Sequence, residues 1–173
     1  YLISKNILLS NLIFKELNYY LSLMVVDSIL QDIKYADLTN IKIQEAKGRF
    51  EIVNDSPIKI IDGAHNYEGV EILLRNYENK YGHLNTDLFV GFKKGKDINN
   101  IFNLIIGKTN YNLQLIEDDT FFDQEITKEI GYLLDRHGKN YKISSLEQFN
   151  RNKNPSILLG SLYLIGEYKK RNI

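Results

Sequence analysis

The sequence lacks cysteine and tryptophan altogether and contains only two prolines and one methionine among its 173 residues. Without cysteine, the chain can form neither a disulfide nor a thiolate metal site. This composition fits a reducing compartment, and we expect a cytoplasmic protein with no signal peptide. Charged and amide side chains interrupt the apolar region 7–30, so we predict a packed helix there and no membrane span.

Net charge is also lacking, because 22 lysines and arginines balance 22 aspartates and glutamates. There is no basic excess to indicate a nucleic-acid partner, and no acidic tail. A chain of this length is large enough for one domain with its own core. It starts with Tyr1, and its one methionine is Met24, so we expect a fragment of a longer protein.

Apolar runs and amphipathic segments alternate along most of the chain. Short runs predict strands at 50–53, 58–61, 87–92, 112–116, 141–143 and 155–159, and helical periodicity predicts helices at 67–80, 98–106, 123–137, 146–151 and 160–170. This alternation predicts a three-layer, Rossmann-like α/β domain with a mainly parallel six-stranded sheet and one antiparallel edge strand. A helical segment at residues 5–34, broken near Asn18, precedes it.

The most informative stretch is Asp62-Gly63-Ala64-His65-Asn66, between a predicted strand and a predicted helix. Gly63 and Ala64 allow a narrow turn, which places Asp62 and His65 at the carboxyl end of the strand. Open α/β sheets bind ligands at that edge, and the N–H groups of a helix start attract anions. The plainer alternative is that Asp62 only forms the turn and His65 is a surface histidine.

Basic residues add two weaker signals. Arg49 follows Gly48, and a guanidinium group suits phosphate oxygens, although the residue can equally be a solvated linker charge. Three lysines at 93–96 follow the third predicted strand. We interpret them as a solvated loop, with attraction of an anionic ligand as the alternative. The acidic run 117–119 indicates a loop and a helix start in preference to a metal site.

Together these motifs resemble the C-terminal domain of folylpolyglutamate synthetase/dihydrofolate synthetase, in the Mur ligase superfamily. The family pattern is Pro-Gly-Arg-Phe-Glu, about a dozen residues, then Asp-Gly-Ala-His-Asn. Residues 48–51 and 62–66 match it, with Lys47 in place of proline. Residues 158–167 are similar to the family ending Leu-Val-Thr-Gly-Ser-Leu-Tyr-Leu-Val-Gly-Glu, with Leu159 in place of threonine.

The resemblance implies that residues 49–173 are the glutamate-ligase domain, and that residues 1–48 are a linker and the helical tail of a central ATPase domain. The implied enzyme is an ATP-dependent ligase that joins a folate or dihydropteroate to L-glutamate through an acyl phosphate. Mg²⁺ would be bound mainly by the central domain. The implied partners are these substrates and the ATPase domain of the same protein; we expect a monomer with no nucleic-acid or membrane partner.

The resemblance also implies roles for single residues. Arg49, Asp62 and His65 would be the catalytic residues and would bind ATP, together with Asn6 or its alternative Asn11. Ser161, first of all a helix N-cap, would bind the incoming glutamate. No metal ligand is expected in this chain.

A phosphate-binding G-x-x-x-x-G-K-[ST] loop is missing from the sequence. The resemblance therefore covers one lobe of a two-lobed active site, and we expect the chain alone to be inactive. Two alternatives remain open: a Mur-type ligase domain for another substrate, and a non-catalytic binding module derived from such a ligase. An unrelated dinucleotide-binding domain is disfavoured, because no G-x-G-x-x-G follows any predicted strand.

Overall fold

The computed structural model describes residues 14–29, 46–117 and 124–171. The chain divides into two compact units, Tyr1–Glu45 and Ala46–Ile173. In the first unit, helix α1 (Phe14–Ile29) runs without interruption, so the predicted break near Asn18 is wrong. Asparagine and tyrosine lower helix propensity by only tenths of a kcal/mol per residue, roughly 0.7 at most, which does not stop a helix. None of the described helices is long and apolar enough to cross a membrane.

The second unit alternates strands and helices as predicted, with bounds that shift by one or two residues at most. Its elements are β1 (Glu51–Asp55), β2 (Ile58–Asp62), α2 (Tyr67–Tyr81), β3 (Thr86–Val90), α3 (Ile98–Ile106), β4 (Tyr111–Ile116), α4 (Gln124–Arg136), β5 (Tyr141–Ser144), α5 (Leu146–Arg151), β6 (Ser156–Leu159) and α6 (Leu162–Arg171).

Within the described residues, the strands form one six-stranded sheet in the order β1-β2-β6-β3-β4-β5. Strand β1 is antiparallel to β2, and every other neighbouring pair is parallel. The predicted mainly parallel sheet with one antiparallel edge strand is therefore confirmed. The last strand of the chain, β6, lies between β2 and β3, so the segments that follow these three strands meet at one edge of the sheet.

Helices cover both faces of the sheet. Alternate strand residues such as Ile60, Leu88 and Ile157 belong to one fully buried cluster with apolar residues of α2, α3 and α4. Their neighbours Ile61 and Leu158 belong to a second cluster with residues of α5 and α6. Because successive strand residues point to opposite faces, the near-continuous apolar strands fill two cores at once.

The ends of β3 and β6 approach each other too closely for any side chain. Gly160, directly after β6, has φ +138°, and a Cβ atom there would overlap the carbonyl group of Gly91. The Gly91 N–H donates to the Leu159 carbonyl oxygen at 3.1 Å. Glycine at position 160 therefore allows β6 to lie beside β3 and lead directly into Ser161 and α6.

Candidate functional site

The candidate site lies at the edge of the sheet where β2 ends. Asp62 is the last residue of β2, and Asn66 caps the start of α2 by accepting a hydrogen bond from the Gly69 N–H at 3.1 Å. The turn between them contains His65. The predicted strand–turn–helix arrangement is therefore present, and helix α2 begins at the ligand-binding edge of the sheet.

The Asp62 carboxylate joins two segments of backbone. Its Oδ2 accepts the Phe50 N–H at 2.7 Å, and its Oδ1 accepts the Ala64 N–H at 2.7 Å. Burial raises the pKa of Asp62, while these two hydrogen bonds and the nearby Arg49 guanidinium act in the opposite direction. Only 8% of the residue is exposed. Asp62 thus fixes its own turn and the loop that carries Arg49 in one arrangement.

Arg49 lies beside this carboxylate without being fully engaged by it. The Arg49 Nη1 is 3.9 Å from Asp62 Oδ1, and 49% of the arginine side chain is exposed. A separation of 3.9 Å is an ion pair and is too long for a hydrogen bond. The guanidinium group can therefore direct its N–H donors towards an anion at this edge.

The loop before β1 is held against the Asp62 turn by an unusual backbone. The Gly63 N–H donates to the Gly48 carbonyl oxygen at 2.8 Å. Gly48 has φ +72°, and Phe50, which is not a glycine, has φ +45°. Positive φ in a non-glycine residue costs on the order of 1–3 kcal/mol, and such strain concentrates at functional sites. The Asp62 carboxylate, as the acceptor for the Phe50 N–H, helps to hold this conformation.

His65 is half-buried and oriented by its own turn. Its Nδ1 lies 2.8 Å from the Gly63 carbonyl oxygen. A carbonyl oxygen can only accept, so Nδ1 carries the proton and the neutral ring keeps its lone pair on Nε2. His65 can therefore accept a proton or hydrogen bond through Nε2, or donate one when the ring is charged.

Ser161 begins α6 at the same edge. The Ser161 Oγ accepts the Leu164 N–H at 3.1 Å, which confirms the predicted N-cap. The following residue, Leu162, packs onto the Asp62 turn: a Cβ atom built at Gly63 would lie 2.5 Å from its Cδ2. The start of α6 is therefore adjacent to the turn that carries Asp62 and His65.

The predicted lysine loop contributes to this edge too. Lys93 Nζ lies 4.0 Å from the centre of the Tyr163 ring, a cation–π contact with an exposed residue at the start of α6. Lys94 Nζ instead lies 3.5 Å from a Glu125 carboxylate oxygen. Lys93 is thus the member of the loop that the structure places beside α6.

Two residues near the site were not singled out from the sequence. Glu51 accepts hydrogen bonds from the Gly48 N–H and from Lys169 on α6. The Arg49 motif contains Glu51, whereas no local signal points to Lys169, which is 118 positions away. Asn6 and Asn11 lie outside the described residues. Within the part of the chain that the structure describes, no group of three His, Asp or Glu side chains could hold a metal ion.

None of the protein-family models compared and none of the curated proteins matches the chain. Solved structures do match it. The folylpolyglutamate synthase of Thermotoga maritima aligns with a TM-score of 0.65 and 20% identity over 88% of this chain and 37% of its own. The Mycobacterium tuberculosis folylpolyglutamate synthase complexed with ADP gives a TM-score of 0.69, 14% identity, and coverage of 88% and 38%. Escherichia coli FolC in complex with ADP aligns with a TM-score of 0.69 and 19% identity over 91% of this chain and 39% of its own.

This chain has a folylpolyglutamate synthase fold. The resemblance inferred from the Arg49 and Asp62 motifs is confirmed at the level of the fold. The chain spans less than two-fifths of these three proteins, between 37% and 39% of their length. The identities of 14–20% leave substrates and residue roles to be argued from the site itself.

Proposed function

We propose that this chain supplies one lobe of an ATP-dependent ligase that joins a folate or dihydropteroate to L-glutamate. One observation carries the proposal: Arg49, Asp62 and His65 lie together with the Ser161 end of α6 at the ligand-binding edge of a folylpolyglutamate synthase fold. The cations and helix starts gathered there suit anionic ligands, and all the proposed substrates carry phosphates or carboxylates.

The reaction has two steps. The substrate carboxylate attacks the γ-phosphorus of ATP, which forms an acyl phosphate and releases ADP. The glutamate amine then attacks the acyl carbon, the C–N bond forms, the C–O bond to phosphate breaks, and the amine loses a proton. Both steps bring anions together, so catalysis depends on groups that hold dense negative charge.

Arg49 is the phosphate-binding group of this lobe. Its partly exposed guanidinium offers N–H donors in a fork that matches phosphate oxygens. His65, whose Nδ1 is engaged by the Gly63 carbonyl oxygen, would use Nε2 to orient a phosphate when charged or to accept the proton of the attacking amine when neutral. Asp62 holds the backbone beside both residues and would thereby position them for the nucleotide.

Ser161 and Lys93 suit the carboxylates of L-glutamate. The Ser161 Oγ accepts a backbone N–H, which leaves the hydroxyl proton to be donated to a ligand. Lys93 adds positive charge beside the same helix start. A helix start with a donor hydroxyl and a nearby ammonium group is a favourable site for a carboxylate.

The remaining parts of the active site belong to a second, ATPase lobe. This sequence has no phosphate-binding loop. Mg²⁺ would be held mainly by the nucleotide and that lobe, where it would neutralise phosphate charge. We therefore expect the chain alone to catalyse no ligation. The ATPase lobe is the expected partner of this chain. The lobe formed by this chain would close over the nucleotide bound to the ATPase lobe.

Titration with ATP, followed by amide NMR, tests the phosphate-binding role of Arg49. We expect Arg49→Ala to weaken binding about tenfold or more, because a charge-assisted hydrogen bond to phosphate is lost. Arg75→Ala, on the exposed side of α2, removes the same charge away from the site and is the matched control. Equal affinity of the two variants would contradict the proposal, as would a wild-type chain that gives no shifts at this edge.

A further inference from the structure

Arg49 stands between two residues whose backbone N–H groups are held by carboxylates. The Phe50 N–H donates to Asp62 at 2.7 Å, within the site already described. On the other side, the Gly48 N–H donates to Glu51 Oε2 at 2.6 Å. The Arg49 N–H itself donates to the Ala46 carbonyl oxygen at 3.2 Å. The position of the guanidinium group therefore depends on both carboxylates, and only Asp62 has a place in the proposed chemistry.

Glu51 is held in turn by the C-terminal helix. Lys169 Nζ lies 2.8 Å from Glu51 Oε1 and 2.6 Å from Oε2, so one ammonium group donates to both oxygens. Both side chains are about two-thirds buried, at 32% and 29% exposure. Partial burial opposes ionisation, but the hydrogen bonds from Lys169 and Gly48 prevail and lower the pKa of Glu51. Glu51 is thus an ionised acceptor for the Gly48 N–H at neutral pH.

One stripe of α6 supports the whole loop. Leu162, Ile165 and Lys169 are spaced three and four residues apart, which places them on one side of the helix. A Cβ atom built at Gly48 would lie 3.3 Å from Leu162 Cδ2 and 3.1 Å from Ile165 Cγ2. The apolar part of the stripe therefore packs against Gly48, and its last residue holds Glu51.

We propose that Lys169 is a positioning residue: through Glu51 it fixes the Gly48 N–H and thereby holds Arg49 in place for the phosphates. This inference rests on the proposed phosphate-binding role of Arg49. It also links the two ends of the site, because α6 begins at the Ser161 cap and ends just beyond Lys169. A single rigid helix then sets the separation between the phosphate-binding arginine and the glutamate-binding serine.

Hydrogen exchange of the Gly48 amide, measured by NMR on the 173-residue chain, tests the positioning step without any ligand. We expect Lys169→Met to speed exchange about tenfold or more relative to wild type, because Glu51 is no longer held beside the Gly48 N–H. Lys169→Arg keeps a cationic donor and should preserve protection. Lys170→Met is the matched control, since Lys170 is 74% exposed and lies 3.8 Å from Glu167. Unchanged Gly48 exchange in Lys169→Met would overturn the proposal.

Titration with inorganic tripolyphosphate connects this geometry to binding. We expect Lys169→Met to weaken binding about three- to tenfold, with recovery in Lys169→Arg and no change in Lys170→Met. The proposed function fails if Arg49→Ala binds tripolyphosphate as well as wild type does, or if wild type does not bind it. In that case only the Gly48 exchange measurement tests whether Lys169 positions the loop. If Arg49→Ala weakens binding and Lys169→Met does not, the positioning role is wrong while the proposed function stands.

A second variant guards against a folding defect in Lys169→Met. Glu51→Gln keeps the size of the side chain and leaves α6 untouched, but it removes the charge that Lys169 pairs with. Thermal unfolding of each variant identifies any general loss of structure. Faster Gly48 exchange and weaker tripolyphosphate binding in a folded Glu51→Gln protein support the proposal, and wild-type values for both refute it.

Discussion

Replacement of Gly160 by alanine should destabilise this domain far more than replacement of a glycine whose only special feature is its positive φ. Gly160 has φ +138°, and its added Cβ atom would overlap the Gly91 carbonyl group at the β3–β6 contact. The backbone conformation costs about 1–3 kcal/mol for a residue with a side chain, and forced repacking adds roughly 1–3 kcal/mol. We therefore expect Gly160→Ala to lower the free energy of unfolding by about 2–6 kcal/mol, a large part of the usual 5–15 kcal/mol.

Gly138→Ala separates the two contributions to this loss. Gly138 also has a positive φ, +61°, but no atom of the described chain lies within 4 Å of a Cβ atom built there. The control should lose only the conformational part, about 1–2 kcal/mol. Urea denaturation followed by circular dichroism measures both variants. A loss in Gly160→Ala no larger than that in Gly138→Ala would refute the steric argument, and with it the close approach that leads β6 into Ser161.

Three further predictions concern single side chains. Because the folded-state pKa of Glu51 is lowered, its contribution to stability is present above about pH 4.5 and is lost as the pH falls through the folded value. The free energy of unfolding of Glu51→Gln should therefore depend less on pH in this acidic range than that of wild type. The same pH dependence in both proteins would contradict this. Ser161→Ala should lose about 1 kcal/mol by urea denaturation through loss of the α6 cap, whereas Ser161→Thr should lose less. Burial lowers the pKa of Lys59, so the folded state disfavours its proton. Lys59→Met should therefore gain stability over wild type, and this gain should be largest near neutral pH and shrink towards pH 10.5. A gain that does not change with pH would be inconsistent with a buried ammonium group.

Local patterns in the sequence were sufficient for most of the secondary structure. Strand β2, the Asp62 turn and helix α2 follow one another within 24 residues, from Ile58 to Tyr81. Apolar spacing, glycine and an asparagine cap each act over only a few neighbouring residues. The error at Asn18 has the same local origin. We predicted a break there, but α1 runs through it, because residues of middling helix propensity do not stop a helix.

The site was predictable in its parts and less so in its assembly. Asp62 and His65 are three residues apart in one turn, so any strand–turn–helix places them together. Arg49 joins them because β1 and β2 form an antiparallel hairpin, which places the end of β2 beside the start of β1. No such local rule brings Ser161 to the same edge; that requires β6 to pair with both β2 and β3.

The sequence by itself determined the elements of this protein, its candidate ligand-binding turn and its resemblance to one lobe of a folate ligase, because each depends on residues that are close in the chain. Tertiary structure alone decided the order of the strands, the Gly91–Gly160 contact and the Glu51–Lys169 pair. The Gly91–Gly160 contact and the Glu51–Lys169 pair join residues that are 69 and 118 positions apart. Sequence periodicity carries no information about such pairings, which arise only when two buried faces of one sheet must both be covered.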